Sequence, residues 1–217
     1  MEREWAEGKE EINREFEPGD KFVPLLVDIT FFVSAIRAYR MAKNARERRN
    51  EIQKILAARD WYLYYEDKWT GRRVLSESIC MEFEHERQTA IKLAQMNYDV
   101  VFAPVGMFKR DQRKFDVYLL RDTIVLEADM KCVTSTNPDT IANRIISGSH
   151  QASRIVLDIR SDISAKDLID GLRSGTGKNK LLKELLIFYK NRFYVLPVKL
   201  IWSKNIFKIL KSEKGYT

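Results

Sequence analysis

Downstream of residue 76, apolar and polar positions repeat with two different periods. Over 76–95 apolar residues recur at helical spacing, with Ile79, Phe83, Ala90 and Leu93 on one stripe, which predicts an amphipathic helix. Strands are predicted over 98–103, 114–121 and 123–133, the last two joined by a tight turn at Arg121-Asp122. Asn137-Pro138-Asp139 has the form of an N-cap followed by proline at the first helical position, opening a helix to about Ala152. A strand over 154–159, a helix opened by Ser164, a helix over 181–189 and a last strand over 193–200 follow, and Pro197 relegates that strand to an edge. Helix, three strands, helix, strand and then extra elements: this order predicts an α/β chain with a mixed α+β sheet.

The first 59 residues carry a helical pattern instead, broken at Pro18-Gly19-Asp20 and turning basic over 42–49, with apolar positions returning at Ile52, Ile55 and Leu56. Between Trp61 and Val74 the aromatic run Tyr62-Leu63-Tyr64-Tyr65 and the glycine at 71 predict a short hairpin, the seam between arm and core. The expected division is therefore a helical arm or docking region over 1–75 and a core over 76–217. The longest apolar run, 22–36, contains Asp28, is followed by Arg37 and Arg40, and falls below the roughly 18 residues needed to span a bilayer. With an acidic, polar start, neither a membrane span nor a signal peptide is expected.

Composition narrows the class. Among 217 residues, 45% are hydrophobic and the net charge is +7, so a sizeable core coexists with a surface that favours a polyanionic partner such as nucleic acid. Cys80 and Cys132 lack CxxC spacing, which excludes a disulfide framework or zinc cage built on cysteines and leaves two small buried hydrophobes. The stretch from Gly171 to Asn179 has the wrong spacing for a phosphate-binding loop, and Asn179 stands where a magnesium-binding hydroxyl is required. A flexible connection is expected there.

The chemistry is concentrated in Lys114-Phe115-Asp116 and Glu127-Ala128-Asp129-Met130-Lys131. On a strand, Glu127, Asp129 and Lys131 share one face, and Leu126, Ala128 and Met130 the other. Buried charges cost several kcal/mol each unless paired or bound to an ion, so their place on a strand that reads as central requires an explanation: a site is the natural one, and an edge hairpin with ordinary surface charges is the alternative. A hairpin pairing 117–120 with 124–128 brings Asp116 beside Asp129, and a slip of one residue would turn it away. Glu86 falls inside the apolar stripe of the preceding helix and is the candidate third carboxylate. Two carboxylates and a lysine suit phosphodiester hydrolysis with Mg²⁺ or Mn²⁺, Zn²⁺ being a further candidate. His150 is a candidate base beside Gln151, and Lys109, Arg110, Arg113, Lys114 and Arg144 are candidate contacts to a phosphate backbone.

Glu86 through Val100, Phe115-Asp116, Asp129-Met130-Lys131 and Gln151 through Asp158 together resemble the restriction-endonuclease-like nuclease domain of contact-dependent inhibition toxins, the CdiA C-terminal type, with related domains at the ends of phage minor head proteins. The resemblance spans roughly 76–160. It implies a PD-(D/E)xK fold with an αβββαβ core, a divalent metal, and cleavage of DNA or tRNA. It assigns Glu86 to the helix glutamate, Asp116 to the PD aspartate, Asp129 and Lys131 to the (D/E)xK pair, and Gln151 to a glutamine of the second helix. Phe115 stands where the proline is usual, and Asp129 where these toxins more often carry glutamate. It further implies an immunity protein or a phage or delivery partner reached through the N-terminal region, and action in the cytoplasm or after delivery into a target cell. The competing readings are a metal-independent RNase of the barnase or RelE kind, and a non-catalytic nucleic-acid-binding or phage structural module.

Overall fold

The computed structural model describes residues 47, 50, 53, 54, 56, 57, 61–77, 83–103, 114–122, 124–177 and 181–211. Residues 1–46 of the arm expected over 1–75, together with Ile79, Cys80, Lys109, Arg110 and Arg113, lie outside the described residues. Among the described residues eight strands form one mixed sheet in chain order: β1 Tyr62–Glu66, β2 Arg73–Ser76, β3 Asp99–Phe102, β4 Val117–Arg121, β5 Ile124–Val133, β6 Arg154–Ile159, β7 Glu184–Tyr189 and β8 Arg192–Pro197. Helix α1 (Glu84–Gln95) precedes β3, α2 (Pro138–Ser149) joins β5 to β6, α3 (Ala165–Thr176) joins β6 to β7, and the short α4 (Val198–Ile201) and α5 (Ile206–Lys211) follow β8. The chain is thus α+β with a mixed sheet, and the order helix, three strands, helix, strand runs from α1 to β6.

Alternation along the strands divides the core between the two faces. Val133, Ile155, Leu157, Leu185 and Ile187 pack with Ile141 and Ile145 of α2 and Leu168 and Leu172 of α3. On the other face Val117, Leu119, Ala128, Met130 and Val156 receive Ala90, Leu93 and Ala94 of α1. Each fully buried leucine contributes about 2 kcal/mol relative to exposure. The α2 start conforms to its sequence, since Asn137 Oδ1 accepts from the Asp139 N–H at 2.8 Å with Pro138 opening the helix.

Five expectations change. The strand expected over 193–200 ends at Pro197, after which Val198–Ile201 forms α4. Residues 181–189 were expected to be helical, but Glu184–Tyr189 is β7, parallel to β6 and antiparallel to β8. Leu185-Leu186-Ile187-Phe188-Tyr189 is a continuous apolar run because both faces are covered, and periodicity alone does not separate such a strand from a buried helix. Gly171 through Thr176 is helical, not a flexible connection. A Cβ on Gly171 would stand 2.7 Å from the Pro138 carbonyl oxygen and one on Gly175 2.8 Å from Ile145 Cβ, so these glycines let α3 lie against α2. Phe83 precedes α1 and is exposed; the buried stripe is Thr89, Ala90, Leu93 and Ala94. The β1–β2 hairpin, grouped with the arm by its sequence, extends the sheet, because Val74 and Leu75 pair in parallel with Val100 and Val101.

Candidate functional site

Strand β5 changes partner halfway along its length. Ile124 through Ala128 pair antiparallel with β4, whereas Asp129 through Val133 pair parallel with β6. The hairpin register is Val117 with Ala128 and Arg121 with Ile124, around a turn in which Asp122 takes φ 54°. Beyond Val117 one more ladder bond forms, from the Asp116 N–H to the Ala128 carbonyl at 3.1 Å. The Asp116 side chain then takes over, its Oδ2 accepting from the Met130 N–H at 2.7 Å. Asp116 therefore stands against Asp129 at the point where the two strands part.

Asp129 is fully buried. Its Oδ1 accepts from Lys131 Nζ at 2.8 Å, and Nζ lies 2.6 Å from Oδ2 as well. Lys131 thus ion-pairs with the carboxylate through both oxygens, but only Oδ1 receives an aligned hydrogen bond, which leaves Oδ2 a buried oxygen with no aligned donor. With its amide oriented by its neighbours, Gln151 donates to Asp129 Oδ1 at 2.5 Å and to the Lys114 carbonyl at 3.0 Å. Burial first, and then the charge of Asp116, push the Asp129 carboxyl up to about 7 against the opposing pull of Lys131. Glu86 is half-buried on α1, and its carboxyl is raised by burial and next by the charge of Asp116, with Lys131 opposing. It thus senses the same charges as Asp129.

The other sequence candidates separate. Glu127 is exposed and pairs across from Tyr118, leaving Asp129 as the buried carboxylate of β5. Lys114 is exposed and joins the site through its carbonyl, held by Gln151. Arg144 is exposed on α2, and His150 is exposed at its C-cap. Cys132 is a free thiol that is only partly buried, so it is not the fully enclosed hydrophobe expected. Among the described residues no group of three or more histidine, cysteine, aspartate or glutamate side chains is gathered closely enough to hold a metal ion.

Gly148 was not anticipated. A Cβ there would stand 2.5 Å from Asp129 Oδ2 and 3.2 Å from Ile155 Cδ1, so α2 reaches the carboxylate only because this position lacks a side chain. The signal available in the sequence was a glycine late in a helix, three residues before Gln151. Asp158 was also missed. It is fully buried on β6, and a carboxylate within the apolar run 155–159 was the visible clue.

No protein-family model matches the chain, and no curated protein matches it. Among solved structures, a chain of the CdiA-CT/CdiI toxin and immunity complex from Burkholderia pseudomallei is similar at 20% identity and a TM-score of 0.35, over 55% of this chain and 92% of that one. Among the described residues, no helix is long and apolar enough to cross a membrane.

Proposed function

We propose that this chain is a divalent-metal-dependent endonuclease with a restriction-endonuclease-like core, hydrolysing phosphodiester bonds of DNA or tRNA. The observation that carries the reading is a buried aspartate, Asp129, set against Asp116 where β4 leaves β5, with Lys131 Nζ 2.6 Å from Asp129 Oδ2. A buried carboxylate oxygen without an aligned donor, next to a second carboxylate, fits a hard cation that prefers oxygen ligands. Asp129 and Asp116 are the residues that would hold Mg²⁺ or Mn²⁺; Glu86 on the helix side is not gathered closely enough with them to be a third ligand in this structure. When bound, the cation supplies Lewis acidity toward the phosphate and a bound water of lowered pKa.

The protein's own groups do the rest. Lys131 neutralises part of the carboxylate charge and offers an ammonium to the negative charge that develops on the phosphate. Gln151 fixes the rotation of the Asp129 carboxylate through Oδ1. Lys114 and Arg144, both exposed, are the described cations available to a phosphate backbone. The sequence resemblance to contact-dependent inhibition toxins extends the reading to a delivered effector with an immunity protein as partner, engaged by the arm over 1–75.

The test is incubation of wild-type and Asp129→Ala protein with supercoiled plasmid and with total tRNA, in Mg²⁺ or Mn²⁺, with and without EDTA. Cutting by the wild type alone, abolished by EDTA, is expected. Equal cutting by the variant would refute the site, EDTA-resistant cutting would favour a metal-independent RNase, and a gel shift without cutting would favour a binding module.

A further inference from the structure

Strand register links the candidate site to the last helices described. Asp129 pairs with Ile155, Ile155 with Leu185 and Leu185 with Leu196, so these four residues form one row across the sheet. Three steps of about 4.8 Å put Leu196 about 14 Å from Asp129, a span that a few nucleotides of backbone cover. Paired residues point to the same face, so Asp129 shares its face with Ile155, Leu185 and Leu196, the cluster onto which Ile201, Ile206 and Leu210 of α4 and α5 pack. Helix α4 begins directly after β8 and is tied to this end of the sheet. The Val198 N–H donates to the Lys183 carbonyl at 3.0 Å, and the Lys183 N–H to the Ser153 carbonyl at 2.8 Å.

With Ile201, Ile206 and Leu210 turned inward, the outer side of this segment carries Lys199, Trp202, Lys204, Phe207, Lys208 and Lys211, all exposed. Over 198–211 there is no aspartate or glutamate, so the lysines are not balanced within the segment. Glu184, at the strand end beside it, is engaged by Arg154. A charge run is by default a solvated face; Trp202 separates this one from that default. Its indole is 54% exposed, yet its orientation is fixed, because Nε1 donates to Thr176 Oγ1 at 3.2 Å. Gly177 admits the ring edge, since a Cβ there would stand 3.2 Å from Trp202 Cζ2. Arg173 holds the backbone on either side, Nε donating to the Ile201 carbonyl at 3.3 Å and Nη2 to the Ser203 carbonyl at 3.4 Å. Phe207 is less available, as Lys211 Nζ lies 4.4 Å from its ring centroid. An aromatic plane held open among lysines matches an unpaired base and its phosphates: stacking needs no particular sequence, and each ammonium–phosphate contact releases a counterion.

We propose that Trp202, with Lys183, Lys199 and Lys204, is a docking surface for a single-stranded part of a nucleic-acid substrate, which it holds on the face and at the end of the sheet where Asp129 lies. The inference rests on the nuclease reading above and deepens it, adding to the phosphate contacts assigned there to Lys114 and Arg144. Lys183 is exposed just before β7, the strand between β6 and β8 in the row that leads from Asp129 to α4.

The test is an anisotropy titration of the full chain in EDTA, which prevents metal-dependent cutting, with a labelled single-stranded oligothymidylate and a duplex of equal length over a range of salt. Wild type, Trp202→Ala, Trp202→Phe and Lys199→Ala/Lys204→Ala are compared, with circular dichroism confirming the fold of each. Removing a stacking ring typically weakens single-strand binding about 10-fold or more, which is the expectation for Trp202→Ala; Trp202→Phe, keeping a ring, is expected to restore most of it. The duplex is expected to lose less, because its bases are already stacked. The lysine variant is expected to lower the salt slope of log affinity on the single strand by about 1.4, about 0.7 for each contact, and it decides the matter if Trp202→Ala does not fold. Unchanged single-strand affinity in folded Trp202→Ala, or an unchanged salt slope in the lysine variant, overturns the inference. So does Trp202-dependent binding to phosphatidylserine vesicles by protein that leaves the oligothymidylate free, which would make the segment a membrane contact. Cutting of plasmid and tRNA in Mg²⁺ or Mn²⁺ is read in parallel. Protein that cuts, but whose oligothymidylate affinity does not depend on Trp202, overturns the inference alone, whereas Trp202-dependent binding without cutting overturns the nuclease reading and upholds the docking surface.

Discussion

Replacing Asp129 with asparagine removes a titration while keeping side-chain volume and the Oδ1 acceptor. In the native protein burial and the charge of Asp116 raise this carboxyl from 3.8 to about 7, so the folded state keeps a proton that the unfolded chain has already released. The contribution to stability is fully present below the unfolded value and is lost as pH rises through the folded one. Between pH 5 and 7 that loss spans two units at about 1.4 kcal/mol each, or about 3 kcal/mol. The assay is urea unfolding in EDTA from pH 5 to 8, for wild type and Asp129→Asn. Wild type is expected to lose about 3 kcal/mol more than the variant over this range, since titrations remote from Asp129 are common to both and cancel in the difference. Parallel stability profiles would refute the assignment of Asp129 as a buried acid with a raised pKa.

Three further outcomes are expected. Gly148→Ala places a Cβ 2.5 Å from Asp129 Oδ2, so it should cost about 1–3 kcal/mol in urea unfolding and weaken Mn²⁺ binding in calorimetry. Gly171→Ala meets the Pro138 carbonyl oxygen at 2.7 Å; it should destabilise by a similar margin, about 1–3 kcal/mol, while leaving the Mn²⁺ affinity of folded protein unchanged, which separates helix packing from the site. Lys114→Ala in Asp129→Ala protein should weaken binding of a labelled duplex uniformly across sequences and reduce the salt slope of log affinity by about 1, measured by anisotropy titration.

Local patterns carry much of the fold and of the candidate site. Asp129 and Lys131 share a face by alternation alone, and the pairing of Val117 with Ala128 follows from the short turn at Asp122. Placing Asp116 needs the observation that its carboxylate replaces a ladder acceptor for the Met130 N–H, which no local pattern encodes. The same limit applies to β7: its apolar run fits a buried strand or a buried helix, and only pairing on both sides decides. Gly148, Gly171 and Gly175 are informative through what lies opposite them, at separations from a few residues to tens along the chain. Arg160 meets Gln88 and His85 across 72 and 75 residues, a distance over which periodicity is silent.

The central claim is that Asp116 and Asp129 hold a divalent cation at the parting of β4 and β5. Anomalous diffraction from crystals soaked in Mn²⁺ tests it most directly. A peak about 2.2 Å from a carboxylate oxygen of each aspartate, absent from Asp129→Asn crystals, is the result predicted. No peak between these carboxylates in protein that cuts nucleic acid, or an undiminished peak in the variant, would contradict it.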